Sequence, residues 1–191
     1  MPRVDTHQKR AMLEAAVRLF RRHGYERTSM LDVVRESGGP RGSLYHYFPG
    51  GKVDLARQAI ELANAAVRDW IQAAGVASTS PADFVRRLGK AYAGALRGSD
   101  FSEGCPIATV ALETAPGIPE LGDTCAAGFD SWIQITREIL QRHGLPESNA
   151  ASTALHAVSA IEGALILSRA RGNTEPLDRV VSLLADGLVT D

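Results

Sequence analysis

The stretch that decides the fold is residues 28–52, which read TSMLDVVRESGGPRGSLYHYFPGGK. Thr28 is a good helix N-cap, and the apolar residues after it keep the spacing of one helix face. Two glycines and Pro40 then end that short helix. Because proline suits the first position of a helix, a second short helix is predicted over Arg41–Tyr47. The stretch therefore predicts two short helices joined by a tight glycine turn.

The rest of the chain repeats the helical period and shows no alternation typical of strands. Glycine and proline breaks separate its segments. The first helix is expected to be capped by Asp5 or Thr6. The pattern predicts an all-α protein of about nine helices, at roughly 6–22, 29–36, 41–47, 52–74, 81–97, 106–115, 120–143, 148–171 and 176–189.

Charge is distributed unevenly along the 191 residues. Residues 1–60 contain 11 Lys and Arg against 6 Asp and Glu, a net charge of +5, whereas residues 61–191 contain 10 against 16, a net charge of −6. A basic N-terminal part on an acidic body indicates that one end meets a polyanion. This pattern favours nucleic acid as a partner.

The composition also excludes several classes of protein. No apolar run reaches the roughly 18 residues of a membrane span, and the N-terminus has no apolar signal core, so we expect a cytoplasmic protein that binds no membrane. Cys105 and Cys125 form neither a disulfide framework nor a metal motif. We therefore expect no metal and no other cofactor.

Two short helices joined by a turn form a helix-turn-helix, whose second helix lies in the DNA major groove with its first residues at the base edges. Arginine can pair with guanine through two hydrogen bonds, serine can bond a base or a phosphate, and glycine lets the backbone approach closely. The alternative is a surface turn whose aromatic residues pack the core. The residues expected at DNA are Arg41, Gly42 and Ser43 at bases, and Tyr45, His46, Tyr47 and Lys52 at phosphates.

The string from Thr28 to Lys52 closely resembles the N-terminal DNA-binding domain of the TetR family of bacterial transcriptional repressors. Its second half, from Pro40, looks most like the LmrA/YxaF-type branch, and residues 104–107 are similar to that branch too. The strong resemblance covers about residues 6–60. One departure is that Gly39-Pro40 stands where a Val-Ser pair is usual, so a helix-capping serine is missing.

The resemblance implies an all-helical, Ω-shaped homodimer whose body binds a small effector and releases DNA. It divides the chain into a helix-turn-helix DNA-binding domain, residues 1–51, and an effector-binding and dimerisation domain, residues 52–191. It also implies that Thr28, Tyr45, His46 and Lys52 contact phosphates and that Arg41 and Ser43 contact bases.

An effector pocket is expected among the middle helices, apolar with a few polar groups. For each residue taken singly, a place in the core is the alternative. A carboxylate on an apolar helix is costly unless it is paired, so Glu113 and Glu162 face either an arginine or a ligand. The residues expected to line the pocket are Trp70, Phe84, Leu88, Tyr92, Phe101, Cys105, Ile107, Val110, Glu113, Trp132, Ile133, Thr136 and Glu162.

The last two helices are candidates for the dimer interface, because the stretch 157–167 is apolar nearly all round and must be covered on most sides. The alternative is that both helices pack only within one subunit. The residues expected at the interface are Ala160, Gly163, Ala164, Leu167, Leu177, Val180, Val181, Leu184 and Leu188.

The sequence leaves other function classes open. An all-helical enzyme or carrier could use the interior cavity, although no nucleophile elbow, zincin pair or phosphate loop occurs. A helical module could meet an anionic membrane or protein through its basic part. Cys105, at a predicted helix start, could sense oxidants or electrophiles. A small-molecule-responsive repressor that binds operator DNA as a dimer, with no catalytic residues, explains the basic part and the helix-turn-helix together.

Overall fold

The computed structural model describes residues 6–189; Asp5, with the rest of residues 1–5 and 190–191, lies outside the described residues. Within this range the structure has nine α-helices and no strand, so the predicted all-α fold is confirmed. The helices are α1 (Thr6–His23), α2 (Met30–Ser37), α3 (Leu44–Tyr47), α4 (Gly51–Ala77), α5 (Pro81–Gly98), α6 (Pro106–Thr114), α7 (Pro119–Arg142), α8 (Glu147–Arg171) and α9 (Glu175–Asp186).

The start of α2 differs from the prediction by one residue. Ser29 is the N-cap, and its hydroxyl accepts a hydrogen bond from the Asp32 backbone N–H while the Asp32 side chain accepts one from the Ser29 N–H. This reciprocal capping box satisfies two N–H groups that the first turn leaves open. The Thr28 hydroxyl instead donates to the Gly24 carbonyl at 2.8 Å. The prediction of Thr28 as the cap was therefore wrong.

The second short helix also begins differently. Gly38 ends α2 with a left-handed φ of 69°. Pro40 then has an extended backbone, φ −73° and ψ 139°, and a 3₁₀ turn over Arg41–Ser43 leads into α3. The prediction of Pro40 as the first helical residue was wrong. Pro40 occupies a cap position, and no side chain caps the turn.

Two compact units make up the described chain. The first comprises the residues up to Asn64 together with Pro106–Gly128. Here α1 packs against both α2 and α6. Its largest fully buried side chains are Met12, Phe20, Leu44, Phe48, Leu55, Ile60, Ile107 and Leu121.

The second unit comprises Ala65–Cys105 and the chain from Phe129 onward. In it, α9 packs against both α5 and α8. Among the described helices, α8 has the length and apolar composition that could cross a membrane. Core helices that are covered on several sides meet the same criterion. The largest fully buried side chains of this unit are Ile71, Phe84, Trp132 and Ile139.

The contact between α5 and α9 depends on Gly89, because a Cβ at this position would overlap the Val181 side chain. Gly94, on the same helix, has nothing within 4 Å of such a Cβ. We expect Gly89→Ala to lower the free energy of unfolding by about 1–3 kcal/mol through overpacking. The control Gly94→Ala should raise it by up to about 1 kcal/mol, since alanine favours the helix. Urea denaturation measures both, and equal changes would contradict this packing.

Candidate DNA interface and effector cavity

The 3₁₀ turn and α3 present an exposed polar face. Arg41, Gly42 and His46 are exposed, and Tyr45 is 67% exposed. Open space surrounds Gly42, since a Cβ at this position would have nothing within 4 Å. Ser43 is half-buried. A guanidinium, an imidazole and a phenol therefore stand on one short segment with a backbone that another molecule can approach closely.

Two residues expected at phosphates lie inside this unit. Thr28 is only 2% exposed, with its hydroxyl bonded to Gly24. Tyr47 is buried beside Phe48, and its hydroxyl donates to the Gln8 side chain at 3.2 Å. Both side chains hold the helices together, so the face available to DNA is narrower than the sequence suggested.

Lys52 lies against the turn between α1 and α2. Its Nζ donates to the Glu26 carbonyl at 3.3 Å and lies 4.1 Å from the centre of the Tyr25 ring. A cation over a ring face is attracted by the ring quadrupole. Lys52 is thus fixed at the start of α4, against the turn that contains Tyr25 and Glu26.

The same turn is held from the other side by α6. Glu113 accepts a hydrogen bond from the Glu26 backbone N–H at 2.8 Å. A Cβ on Gly24 would overlap the Glu113 carboxylate, and Gly24 has a left-handed φ of 80°. Glu113 was expected to line the effector pocket, and the structure gives it this docking contact instead. Sequence reasoning placed Gly24 at the end of the first helix, where the structure has it. It missed the contact of this turn with Glu113 and the role of Glu26, which belongs to no motif.

A narrow cavity lies within the second unit. Its free space is about 10 Å³, which is room for about one water molecule. Six expected residues line it: Phe84, Leu88, Tyr92, Trp132, Thr136 and Glu162. Five lining residues were not expected: Ile71, Val85, Ala157, Val158 and Ile161.

The remaining residues expected at the pocket lie elsewhere. Ile107 and Val110 are fully buried in the core of the first unit. Trp70 lines a surface groove, where its ring meets that of Tyr92 edge-on at 6.4 Å. Phe101 and Ile133 are half-buried and do not line the cavity. Cys105 does not line it either, but its side chain forms a hydrogen bond with Glu162.

The cavity wall carries polar atoms that lack partners. Among residues 6–189, Trp132 Nε1, Thr136 Oγ1 and Glu162 Oε2 are buried without a hydrogen-bond partner in the protein. Burial raises the pKa of Glu162 to about 7, although the Cys105 hydrogen bond opposes the shift. Burial, the Glu162 charge and Cys105 together raise the pKa of Tyr92 well above its usual value. Such a wall can bind a molecule that supplies the missing partners.

The residues expected at the dimer interface fall into three groups: buried, exposed and half-buried. Leu177 is fully buried and Val181 is 8% exposed, so this stripe of α9 packs within the chain. Ala164 is buried too, whereas Gly163 and Leu167 are exposed. Ala160, Val180, Leu184 and Leu188 are half-buried. The exposed apolar residues of α8 and α9 are Leu155, Ile166, Leu167 and Leu183.

Two family models of bacterial regulatory proteins match this chain. Residues 12–59 match the family model of bacterial regulatory proteins, tetR family. Residues 81–182 match the model of the C-terminal domain of LmrA/YxaF-like transcriptional regulators.

Relatives match over almost the whole chain. The HTH-type transcriptional regulator LmrA of Bacillus subtilis is 34% identical over 95% of this chain and 96% of its own. The uncharacterized HTH-type regulator YxaF of the same organism is 33% identical over 92% and 91%. A TetR regulatory protein from Rhodobacter sphaeroides shares the fold, with a TM-score of 0.88 at 16% identity over 96% of this chain and all of its own.

The pKa of Glu162 predicts how stability depends on pH. A carboxyl whose pKa rises from 4.5 to about 7 on folding stabilises the folded state at low pH, and this contribution disappears as pH rises through 7. From pH 5 to pH 8, we expect the unfolding free energy of the wild type to fall relative to that of Glu162→Gln, by up to about 3 kcal/mol. Urea denaturation of both proteins at several pH values measures this. A pH-independent difference would show that Glu162 ionises normally.

Proposed function

The chain belongs to the TetR family of bacterial regulatory proteins, and we propose that it binds a palindromic operator as a dimer and represses transcription until a small, largely apolar molecule releases it. Its role as a transcriptional regulator follows from the family. Dimer formation, repression of transcription and release of the operator by an effector are our proposals.

The observation that carries DNA binding is the exposed face of the 3₁₀ turn and α3. Arg41 and Gly42 stand at the start of the second helical segment of the helix-turn-helix, where side chains reach base edges. We assign Arg41 and Ser43 to bases, and Tyr45, His46 and Lys52 to phosphates. Thr28 and Tyr47 are not assigned, because both are buried and donate their hydroxyl protons inside the protein. Lys52 is half-buried, and its ammonium keeps donors beyond the one that bonds the Glu26 carbonyl.

We propose that residues 1–51 bind DNA and that residues 52–191 bind the effector and form the dimer. Two helices are suited to carry the signal. Ile71 of α4 lines the cavity, and Lys52, at the start of the same helix, holds the Glu26 turn. In addition, α6 begins directly after Cys105 and binds that turn through Glu113. A ligand that favours a different position of either helix would therefore also displace α2.

A ligand releases DNA only through its preference for the form that does not bind DNA. A hundredfold preference per site is typical of the coupling between two ligands of one protein. We propose no catalytic role for the cavity, since the relatives are named as transcriptional regulators. A regulator that acts on bacterial operators works in the cytoplasm, and we propose that location.

The dimer surface that we propose is the exposed apolar face of α8 together with Leu183 of α9. Leu155, Ile166 and Leu167 are each 54–55% exposed, and Leu183 is 74% exposed. Gly163, between them on α8, leaves open space for a close approach of a second backbone. Two copies of such a face can cover each other around a two-fold axis.

Operator selection tests the proposed function. Fragments of the source genome that the protein retains should share a palindrome, because a two-fold dimer presents two identical helices. Arg41→Ala should lose about 1–3 kcal/mol of binding free energy and relax preference at one base position in each half-site. Quantitative binding to single-base operator variants measures this.

Lys52→Ala is the matched comparison. It should weaken binding to all sequences alike and flatten the slope of log K against log salt by about one unit, since one phosphate contact is lost. A uniform loss with Arg41→Ala would place Arg41 at a phosphate. The absence of any preferred duplex would contradict operator binding and favour a membrane or protein partner.

Charge on the α8 face tests the dimer. Ile166→Glu should give monomers and abolish tight operator binding, because symmetry buries two unpaired carboxylates in one interface. Leu112→Glu is the control, since Leu112 is a 77% exposed leucine of α6 in the first unit. Size-exclusion chromatography with light scattering measures the mass, and circular dichroism checks folding. A folded, dimeric Ile166→Glu protein would contradict this interface.

A further inference from the structure

We infer that the cavity of the second unit takes an aromatic cation, a protonated amine on a flat ring system, whose charge pairs with Glu162. This inference rests on the proposed function, because it names the class of effector. It depends on three features of the cavity: an acid without a counterion, aromatic walls, and an indole N–H and a hydroxyl on α7 that lack hydrogen-bond partners.

Glu162 is the acid without a counterion. Its Oε2 is buried and, among residues 6–189, accepts no hydrogen bond. Its neighbours on α8, Val158 and Ile161, are apolar and line the same cavity. The interactions that shift its pKa are burial and the Cys105 hydrogen bond, with no basic side chain among them. A buried carboxyl in this setting binds most favourably to a partner that brings both a hydrogen-bond donor and a positive charge.

The walls around Glu162 suit such a partner. Phe84, Tyr92 and Trp132 supply rings to the lining. The charge of Glu162 acts on the pKa of Tyr92, so the carboxyl and this ring are close. Ring faces attract ammonium groups, and ring surfaces pack against a flat apolar body. A neutral hydroxyl could donate a hydrogen bond to the carboxylate but would bring no positive charge to compensate it.

The cavity wall on α7 indicates a second feature of the ligand. Trp132 Nε1 and Thr136 Oγ1 are both buried and unpartnered within the described chain. They are four residues apart on α7, so they lie on the same helix face. The indole N–H only donates. The ligand should therefore carry a carbonyl or ether oxygen in addition to its amine.

Entry requires the cavity to open, since it has room for about one water molecule. Tyr92 is placed to open it. This residue lines the cavity, and its ring contacts Trp70, which lines the neighbouring surface groove of about 490 Å³. Rotation of the Tyr92 ring would join the groove to the cavity.

Binding of a cation should release a proton. Near pH 7 the empty site holds Glu162 partly protonated, and a bound ammonium favours the carboxylate. The titratable groups facing it are Tyr92 of α5 and Cys105, whereas α7 contributes the neutral Trp132 and Thr136. The apparent affinity for an amine should therefore rise about tenfold from pH 6 to pH 8. A neutral ligand would show no such rise.

The experiment compares arylmethyl amines, which are protonated near pH 7, with alcohols of the same skeleton. It starts with naphthylmethylamine and naphthylmethanol and adds pairs that carry a ring ether. Calorimetry and tryptophan fluorescence measure binding to the dimer at pH 6, 7 and 8. We expect at least one amine to bind tenfold or more tightly than its alcohol at pH 8, and to release a proton at pH 6 in buffers of different ionisation enthalpy. Glu162→Gln should abolish the preference. The matched control Glu138→Gln, at an exposed glutamate of α7 that does not line the cavity, should keep it.

Equal affinities within every pair, tighter binding of the alcohols, or binding of neither member would overturn the inference. The comparison of amines with alcohols and the pH profile use the wild-type protein. They therefore test the inference even if Glu162→Gln fails to fold. Operator binding separates this inference from the proposed function. An amine that depends on Glu162 but leaves operator affinity unchanged would refute the effector role alone. If only neutral molecules release the operator, the proposed positive charge of the effector is refuted, but release by an effector is not.

Discussion

One hydrogen bond, from the Glu26 backbone N–H to the Glu113 carboxylate, ties the turn between α1 and α2 to α6. The turn that offers this N–H needs glycine at residue 24, both for its left-handed backbone and because the carboxylate fills the space of a side chain there. Lys52 secures the carbonyl of the same residue from α4. The turn that precedes α2 is therefore held by contacts from both α4 and α6.

Local sequence predicted most of the fold, since helical periodicity and glycine or proline breaks act within a few residues. It failed where a choice depended on tertiary contacts. Thr28 and Ser29 are both good N-cap residues. Ser29 is the N-cap of α2, since the Thr28 hydroxyl is buried and donates to the Gly24 carbonyl. Tyr47 resembles a phosphate contact in the sequence, but Gln8, 39 residues away, holds its hydroxyl. Glu113 was expected at a ligand because a carboxylate on an apolar helix suggests one, and a backbone N–H from a remote turn satisfies it.

The cavity and the outer face share one helix. On α8, Ala157 and Ile161 line the cavity, while Ile166 and Leu167 are exposed. The sequence shows that this helix is apolar nearly all round, and we expected that surface at the dimer interface. Periodicity alone cannot tell an apolar face that lines a cavity from one that meets another subunit. A partner on the exposed face would make α8 a shared wall. Movement of α8 on one side would then be opposed by packing on the other.

Because the free volume of the cavity is small, the association rate of a ligand does not follow its affinity. Because a wall side chain must move before anything larger than water enters, association cannot be faster than that movement. At high ligand concentration the observed binding rate should level off at the rate of opening instead of rising in proportion. That limiting rate would then report the rotation of the Tyr92 ring and would be the same for molecules of very different affinity.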